Sequence, residues 1–427
     1  MASANVQNIL IVGASFAGLS EAHYLLRHIL PAVSQETSIS YKVTLLSTSS
    51  HFYFKIASPR VVVSPSLISP DDVFLPIAEG FKDYDKSSFE FVLGTATRLD
   101  AAARTLLVTG LDGKEFGIAY GSLVIATGTT SNSPVWSLVG TPDITRKLLE
   151  TTHAAIVKAQ SVLIAGGGAV GVETAGELGS EYAGKKEVTI LSGATRLLPR
   201  LNAKTSASAE SKLKALGVTV MHKVRVVSDV VTDDGKTHLK LSNGTEATVD
   251  VYLNATGWVP NTKYLPAEWL DERGYVKTDE ATLRVKVEGV KGVYAYGSIT
   301  DFGHGGIMDV FDAVKPVADS IRLDLLAAAN AISSKSDLHK QPAAVHKVTW
   351  WTWLMSLFSG PVDPSQRKAT FKQTTKELQL VPIGRNGGVG VLFGWRIPSI
   401  MVYMIKGKDY MISAAQDAVT GKAYMKA

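Results

Sequence analysis

One order of elements runs through this 427-residue chain twice. An apolar strand enters a glycine-rich turn. A helix with helical apolar spacing follows, then a second strand, a hairpin, and a strand that closes on Ala-Thr-Gly. The first round takes residues 8–12, 13–18, 19–29, 41–46, 89–99 with 105–111, and 122–126, ending in Ala126-Thr127-Gly128. The second takes 161–165, 166–171, 172–182, 188–191, 218–231 with 237–241, and 249–255, ending in Ala255-Thr256-Gly257. Such a duplication leaves few folds open, because parallel strands joined by a crossover helix must share a sheet with right-handed connections.

The glycine turns say what the two units hold. In Gly-x-Gly-x-x-Gly between a strand and a helix, the first glycine permits a tight turn and the second lets backbone approach a pyrophosphate. The third lets helix pack on strand, with the helix N-terminus facing the negative charge. Gly166, Gly168 and Gly171 fit in full. The next strand ends at Ser192, where sites for NAD usually place an acid for the ribose, and Arg196 follows. An arginine there can meet a 2′-phosphate, which favours NADPH over NADH; the plainer reading is a solvated loop charge. The first turn keeps Gly13 and Gly18 but has Ser15 in the middle, and its second strand ends at Ser47. A hydroxyl can hydrogen-bond a ribose without the charge-assisted strength of a carboxylate. The expected class is therefore α/β, with two Rossmann-like dinucleotide-binding domains and a C-terminal α+β unit. The expected boundaries are 1–135 with 256–330 for the first domain, 136–255 for the second and 331–427 for the C-terminal unit.

Composition narrows the chemistry. With no cysteine, the chain can carry neither a Cys-pair redox centre nor a Cys-ligated zinc or iron–sulfur site, and no metal is expected. Its 44 basic and 39 acidic residues are spread along the chain without a dense basic run, so nucleic acid is not an expected partner. No charged-then-apolar leader opens the sequence and no stretch is long and apolar enough to span a bilayer, so a cytoplasmic, soluble or peripheral protein is expected. Trp350, Trp351 and Trp353, followed by Leu354, Met355, Leu357 and Phe358, form an apolar aromatic patch. Plain packing, a hydrophobic substrate pocket and peripheral docking at a membrane interface are its open readings.

The C-terminal stretch contains Gly384-Arg385-Asn386-Gly387-Gly388-Val389-Gly390 and then Lys406-Gly407-Lys408-Asp409-Tyr410. Together with both turns and both Ala-Thr-Gly strands, these segments make the chain resemble the apoptosis-inducing-factor-like flavoproteins. The likeness is to their ferroptosis-suppressor (AMID) branch and its fungal counterparts, with type II NADH:quinone dehydrogenases more distant. The resemblance implies FAD in the first half, NAD(P)H in the second, and a quinone or other small hydrophobic acceptor. It implies that Gly13, Ser15, Gly18, Ser47, Arg60, Ala96, Thr127, Gly128, Gly297 and Ser298 line the FAD site. The NAD(P)H site would comprise Gly166, Gly168, Gly171, Ser192, Arg196 and Gly257. Glu173 matches a glutamate near the flavin–nicotinamide contact, although a first-turn helix acid is also what a helix dipole favours. Lys406 matches a lysine near the flavin, where a cation stabilises charge on the reduced ring; its bland reading is a surface lysine before a turn.

Ser298 stands where the family has an aspartate, so serine occupies three flavin positions, at 15, 47 and 298. His304, just before a helix, is a candidate proton donor or a locally bonded loop histidine. The first functional reading is an FAD-dependent NAD(P)H oxidoreductase that passes hydride through flavin to a quinone. The second, raised by the serines, is the same fold used in small-molecule biosynthesis, oxidative or as a non-redox cyclisation, with FAD held weakly or lost. The third, raised by the tryptophans, is a membrane-associated module without catalysis.

Overall fold

The computed structural model describes residues 6–37, 39–303, 306–337, 370–373 and 378–425. The first unit is built on a seven-stranded sheet. Its order is Val293–Ala295, Ser122–Ile125, Gln7–Val12, Tyr41–Ser47, Phe89–Asp100, Thr105–Gly110 and Glu115–Ala119. The first five strands run parallel. The central strand reads as an unbroken apolar run because both of its faces are covered. Ile9 and Ile11 enter one core with the helices, whereas Leu10 enters a second core with the meander. The strand Phe89–Asp100 serves two ladders. Its start pairs in parallel with Tyr41–Ser47, and its end pairs antiparallel with Thr105–Gly110.

The second unit is a four-stranded parallel sheet in the order Val218–His222, Glu187–Ser192, Ser161–Ala165 and Val251–Asn254. An antiparallel sheet of Val226–Val231, Thr237–Leu241 and Glu246–Val249 covers it. The single strand expected over 218–231 is two strands in two sheets. Lys223 adopts a left-handed conformation (φ 58°) and turns the chain out of the nucleotide sheet. Each unit thus repeats the same wound order, and the duplication read in the sequence is a duplication in space.

Two devices hold the units together. The segments that follow the Ala-Thr-Gly strands pair with each other as an antiparallel ribbon, Thr129–Ser131 with Trp258–Pro260. The C-terminal part then touches both units. Its sheet of Gln379–Pro382, Gly388–Leu392 and Trp395–Arg396 lies on the helix Ala169–Glu181, so close that a Cβ on Gly176 would fall 2.8 Å from the Gly384 nitrogen. Its last helix, Ser413–Thr420, returns to the first unit, where the Val419 carbonyl lies 2.7 Å from His23 Nε2. The helix Ile307–Asp337 packs on Phe16–Tyr24 and runs past both ends of the 311–329 expected for it.

Candidate functional site

The first glycine turn is a tight cradle. Gly13 has φ 106°, and a Cβ there would lie 2.5 Å from the Ala126 carbonyl oxygen. A Cβ on Gly18 would lie 1.7 Å from the Gly13 oxygen, so the helix Phe16–Tyr24 can sit this close only on glycine. Ser15 is the exposed residue before that helix, and its hydroxyl caps no backbone group. Ser47 is buried, and its hydroxyl is committed locally. It donates to the Ser49 carbonyl (2.8 Å) and accepts from the Ser49 N–H (3.1 Å). Thr127 and Gly128 are braced by Asn261, which receives the Thr127 hydroxyl on its carbonyl (2.9 Å) and gives its side-chain amide to the Thr127 carbonyl (2.9 Å). The Asn261 N–H donates to the Gly128 carbonyl. Ser298 Oγ accepts from Thr129 Oγ1 at 3.3 Å and lies against Gly128. Gly297 (φ 82°) follows the strand Val293–Ala295 and faces Ala17 of the first helix. Ala96 sits where the strand Phe89–Asp100 bulges out of register. Apart from Ala96 and Arg60, the expected FAD residues therefore gather at the C-terminal ends of parallel strands, where open α/β sheets bind ligands.

The second turn repeats this geometry. Gly166 has φ 126°, with the Ala255 carbonyl oxygen 2.6 Å from where a Cβ would be; at Gly171 the Gly166 oxygen is 1.9 Å away. Gly168, the residue before the helix Ala169–Glu181, has nothing within 4 Å of its would-be Cβ. That open face is the approach a pyrophosphate needs. Gly257 (φ 73°) lies over Asn132. Ser192 gives its hydroxyl to the Arg196 carbonyl (2.9 Å). Arg196 is turned back into its own loop, where Nη2 donates to the Pro199 (2.9 Å) and Leu201 (3.2 Å) carbonyls. That nitrogen is committed to carbonyls of its own loop, so it is not offered to a 2′-phosphate in this arrangement.

On the helix Ala169–Glu181, which follows the second turn, lies a buried ionic cluster. Glu173, 2% exposed, accepts from Lys406 Nζ at 2.5 Å. Burial pushes the Glu173 carboxyl above the usual range, and the lysine pulls it partly back. Lys406 sits in a wide π-type turn, Tyr403–Gly407, a distortion frequent at functional sites. The two candidates named from the resemblance, from parts of the chain far apart, are thus in direct contact. Arg60 belongs to the same cluster. Its Nε and Nη2 hold both oxygens of Glu177 (3.1 and 2.8 Å), and Nη1 donates to the Gly407 (2.8 Å) and Lys408 (2.9 Å) carbonyls. Every nitrogen of its guanidinium is engaged there, so it joins the first unit to the second helix and the C-terminal part. Arg385 Nη1 gives Glu177 a second cation at 2.8 Å. The Tyr410 ring lies 4.6 Å under the Arg60 guanidinium, and both Tyr410 and Met411 are left-handed, with φ 54° and 61°.

Glu177 and Arg385 were not singled out as site residues by the sequence reading. The signal for Glu177 is its position four residues after Glu173, on the same helix face. Lys55 was also missed. Burial holds its ammonium below the usual lysine range, and it lies 5.5 Å from the Trp258 ring in the inter-unit ribbon. His304 and the Trp350–Trp353 patch lie outside the described residues. Among the described residues no group of acids and histidines is arranged to hold a metal, and no helix is long and apolar enough to cross a membrane.

Comparison with known proteins places the chain in a family. Residues 7–316 match the family described as pyridine nucleotide-disulphide oxidoreductase. The oxidoreductase phnG of Penicillium herquei is 34% identical over 441 residues, covering 98% of this chain and 97% of that protein. The oxidoreductase ptaL of Pestalotiopsis fici is 37% identical over 297 residues, covering 69% of this chain and 77% of its own. Mouse ferroptosis suppressor protein 1 is 23% identical over 419 residues, covering 96% and 94%. Among solved structures, NDH2 from Plasmodium falciparum in complex with NADH shares the fold, with a TM-score of 0.63 at 15% identity over 98% of each chain.

Proposed function

The chain belongs to the pyridine nucleotide-disulphide oxidoreductase family, and from this premise we propose that it draws hydride from NAD(P)H and delivers it through FAD to a hydrophobic acceptor, most simply a quinone. The NAD(P)H-dependent flavin oxidoreductase chemistry comes with the family; the acceptor is our inference. FAD, when bound, accepts hydride and passes the electrons on. The supporting observations are two glycine cradles of the same geometry, one at the head of each unit, and a buried Glu173–Lys406 pair on the helix that follows the second. Gly13 and Gly18 with the first helix would hold the FAD pyrophosphate, and Gly166, Gly168 and Gly171 that of NAD(P)H. Lys406 supplies a fixed cation near developing negative charge, and Glu173 holds its ammonium in place. The absence of cysteine rules out an enzyme-borne dithiol relay, which favours a diffusible acceptor.

A peripheral contact with an anionic membrane is part of this reading. Phe393 and Trp395, beside Ile400 and Met404, are exposed on the C-terminal part, with Lys408 and Arg396 nearby in sequence. A second reading, weak FAD binding and small-molecule biosynthesis, is favoured by one observation: the Ser47 hydroxyl gives its one proton to the Ser49 carbonyl and one lone pair to the Ser49 N–H, so it has no proton left to donate to a ribose. One spectrum separates the two. Protein purified without added cofactor is examined in the visible range, then after FAD, then after NADPH. A flavin band bleached by NADPH, with NADPH oxidation stimulated by a short-chain quinone, is expected. Protein that stays colourless with added FAD would overturn the first reading. Bleaching without quinone-stimulated turnover would remove only the quinone. Sedimentation with anionic liposomes checks the membrane contact, and protein that stays in the supernatant would end it.

A further inference from the structure

Arg196 is tied into its own loop, and the adenosine end of the second site presents a different cation. The strand Glu187–Ser192 delivers the chain to Gly193, beside the position where a nucleotide ribose lies in this kind of turn. Arg225, from the next loop, lies across Gly193. A Cβ on Gly193 would meet Arg225 Nε at 2.6 Å and Cγ at 2.9 Å, so the glycine is a slot for this side chain. The two loops are stitched together by backbone, with the Lys223 N–H to the Ala194 carbonyl (3.0 Å) and the Val224 N–H to the Ser192 carbonyl (3.2 Å). The backbone N–H of Arg225 is held by Ser242 Oγ at 3.0 Å, which fixes where the side chain starts. Arg225 and Lys223 are exposed, and neither side chain has a hydrogen bond or ion pair among the described residues.

The local charge points one way. The segment Ser192-Gly193-Ala194-Thr195-Arg196 contains no carboxylate. The Ser192 hydroxyl, the remaining candidate for a ribose diol, is spent on the Arg196 carbonyl. The acid on the neighbouring helix, Glu210, is occupied by His222 and Lys214 at 2.8 and 2.7 Å. Free ribose hydroxyls would find no anionic acceptor here, whereas a phosphate dianion would find two uncommitted cations, one of them a planar fork.

We propose that Arg225, assisted by Lys223, is the specificity determinant of the second nucleotide site and recognises the 2′-phosphate of NADPH. This inference rests on the nucleotide reading of the Gly166–Gly171 turn. The experiment is titration calorimetry of the purified full chain with NADP+ and NAD+, and with 2′,5′-ADP and 5′-AMP as adenosine-end probes. The wild-type protein is expected to bind the 2′-phosphorylated member of each pair at least about tenfold more tightly, less so at high salt. Arg225→Ala should remove about tenfold from NADP+ and 2′,5′-ADP while leaving NAD+ and 5′-AMP unchanged. Arg225→Lys should lose part of that, and Lys223→Ala a few-fold. Arg225 is a surface residue, and an unchanged melting curve shows that the variants fold. Equal affinity for the two members in wild type, or an equal loss for both in Arg225→Ala, overturns the inference while leaving the nucleotide site in place. If none of the four binds, the nucleotide reading itself falls and the inference with it.

Discussion

The two wound units build the same cradle and use the helix behind it differently. In both, the first glycine lies against the carbonyl of an Ala-Thr-Gly alanine, Ala126 in one and Ala255 in the other. In both, the third glycine lies against the first glycine's own oxygen. The helix Phe16–Tyr24 buries a single carboxyl, Glu21, whose two oxygens find no hydrogen-bond partner among the described residues. Burial drives it well above the ordinary carboxylate range. The helix Ala169–Glu181 buries Glu173 and Glu177, and both are met by cations: Lys406 for one, Arg60 and Arg385 for the other. Those cations come from outside the second unit. At the first helix no cation among the described residues meets the buried carboxyl, and the second is the place where three parts of the chain are joined by charge. Duplicated folds diverge in this way because the cradle is set by local backbone geometry, while the outer face of each helix is free to adapt to what covers it.

The largest effects should come from the shared feature. Gly18→Ala and Gly171→Ala each place a Cβ within 2 Å of backbone oxygen, and each should cost beyond about 4 kcal/mol or abolish the folded state. Where protein survives, the first should lose flavin absorbance and the second NAD(P)H binding. Loss of both by either variant would show that the two cradles are not independent. Next is Lys406→Ala, which strands a buried carboxyl and should destabilise by about 3–5 kcal/mol in urea unfolding. The double variant Lys406→Met with Glu173→Gln should recover much of that. If it does not, the pair's charge is not what the single substitution removed.

A smaller effect concerns the first unit's contact with the C-terminal helix. His23 is fully buried, stacks on Phe81 (4.1 Å) and is pushed down by burial to about 4. Its folded value lies below its unfolded one, so its stabilising contribution is complete above the unfolded 6.5 and is lost as pH falls toward 4. About 3 kcal/mol is at stake, and His23→Phe should flatten that limb of a stability-against-pH curve. The smallest effect is Glu21→Gln measured below pH 4.5, within about 1 kcal/mol of wild type, because there the carboxyl it replaces is uncharged in the folded and the unfolded chain alike. Its sign depends on pH. Glu21 has a raised folded value, so the wild type's advantage holds below 4.5 and fades as pH rises, and the Gln variant should gain on wild type in that direction. A large loss on Glu21→Gln at neutral pH would show that this carboxyl is charged and paired, and the contrast between the helices would disappear.

The wound order, both cradles and both Ala-Thr-Gly strand ends were legible from the sequence, because each depends on residues within a turn or two of one another. Gly13, Gly18, Gly166 and Gly171 are where they are because backbone passes too close for a Cβ, a constraint that leaves its mark in the residue type. The long apolar run over 218–231 misled, because apolar spacing does not show where a left-handed residue such as Lys223 sends the chain into another sheet. The orientation of Arg196 was not legible for a related reason. A charge near a strand end is visible in the sequence, but the direction of its guanidinium is set by which carbonyls lie within reach.

What the sequence determined by itself was the repeated βαβ plan and the two places where a dinucleotide can lie. Turn geometry and strand and helix periods are local, and the residue pattern encodes them directly. What only the tertiary structure decided was how charge is shared. The Lys406–Glu173 contact spans 233 residues and the Arg60–Glu177 contact 117. The placement of Arg225 over Gly193 depends on two loops being stitched side by side. No local preference specifies such meetings. They follow from the packing of whole units, which removes water from around these groups and leaves each buried charge the partner that the fold brings to it.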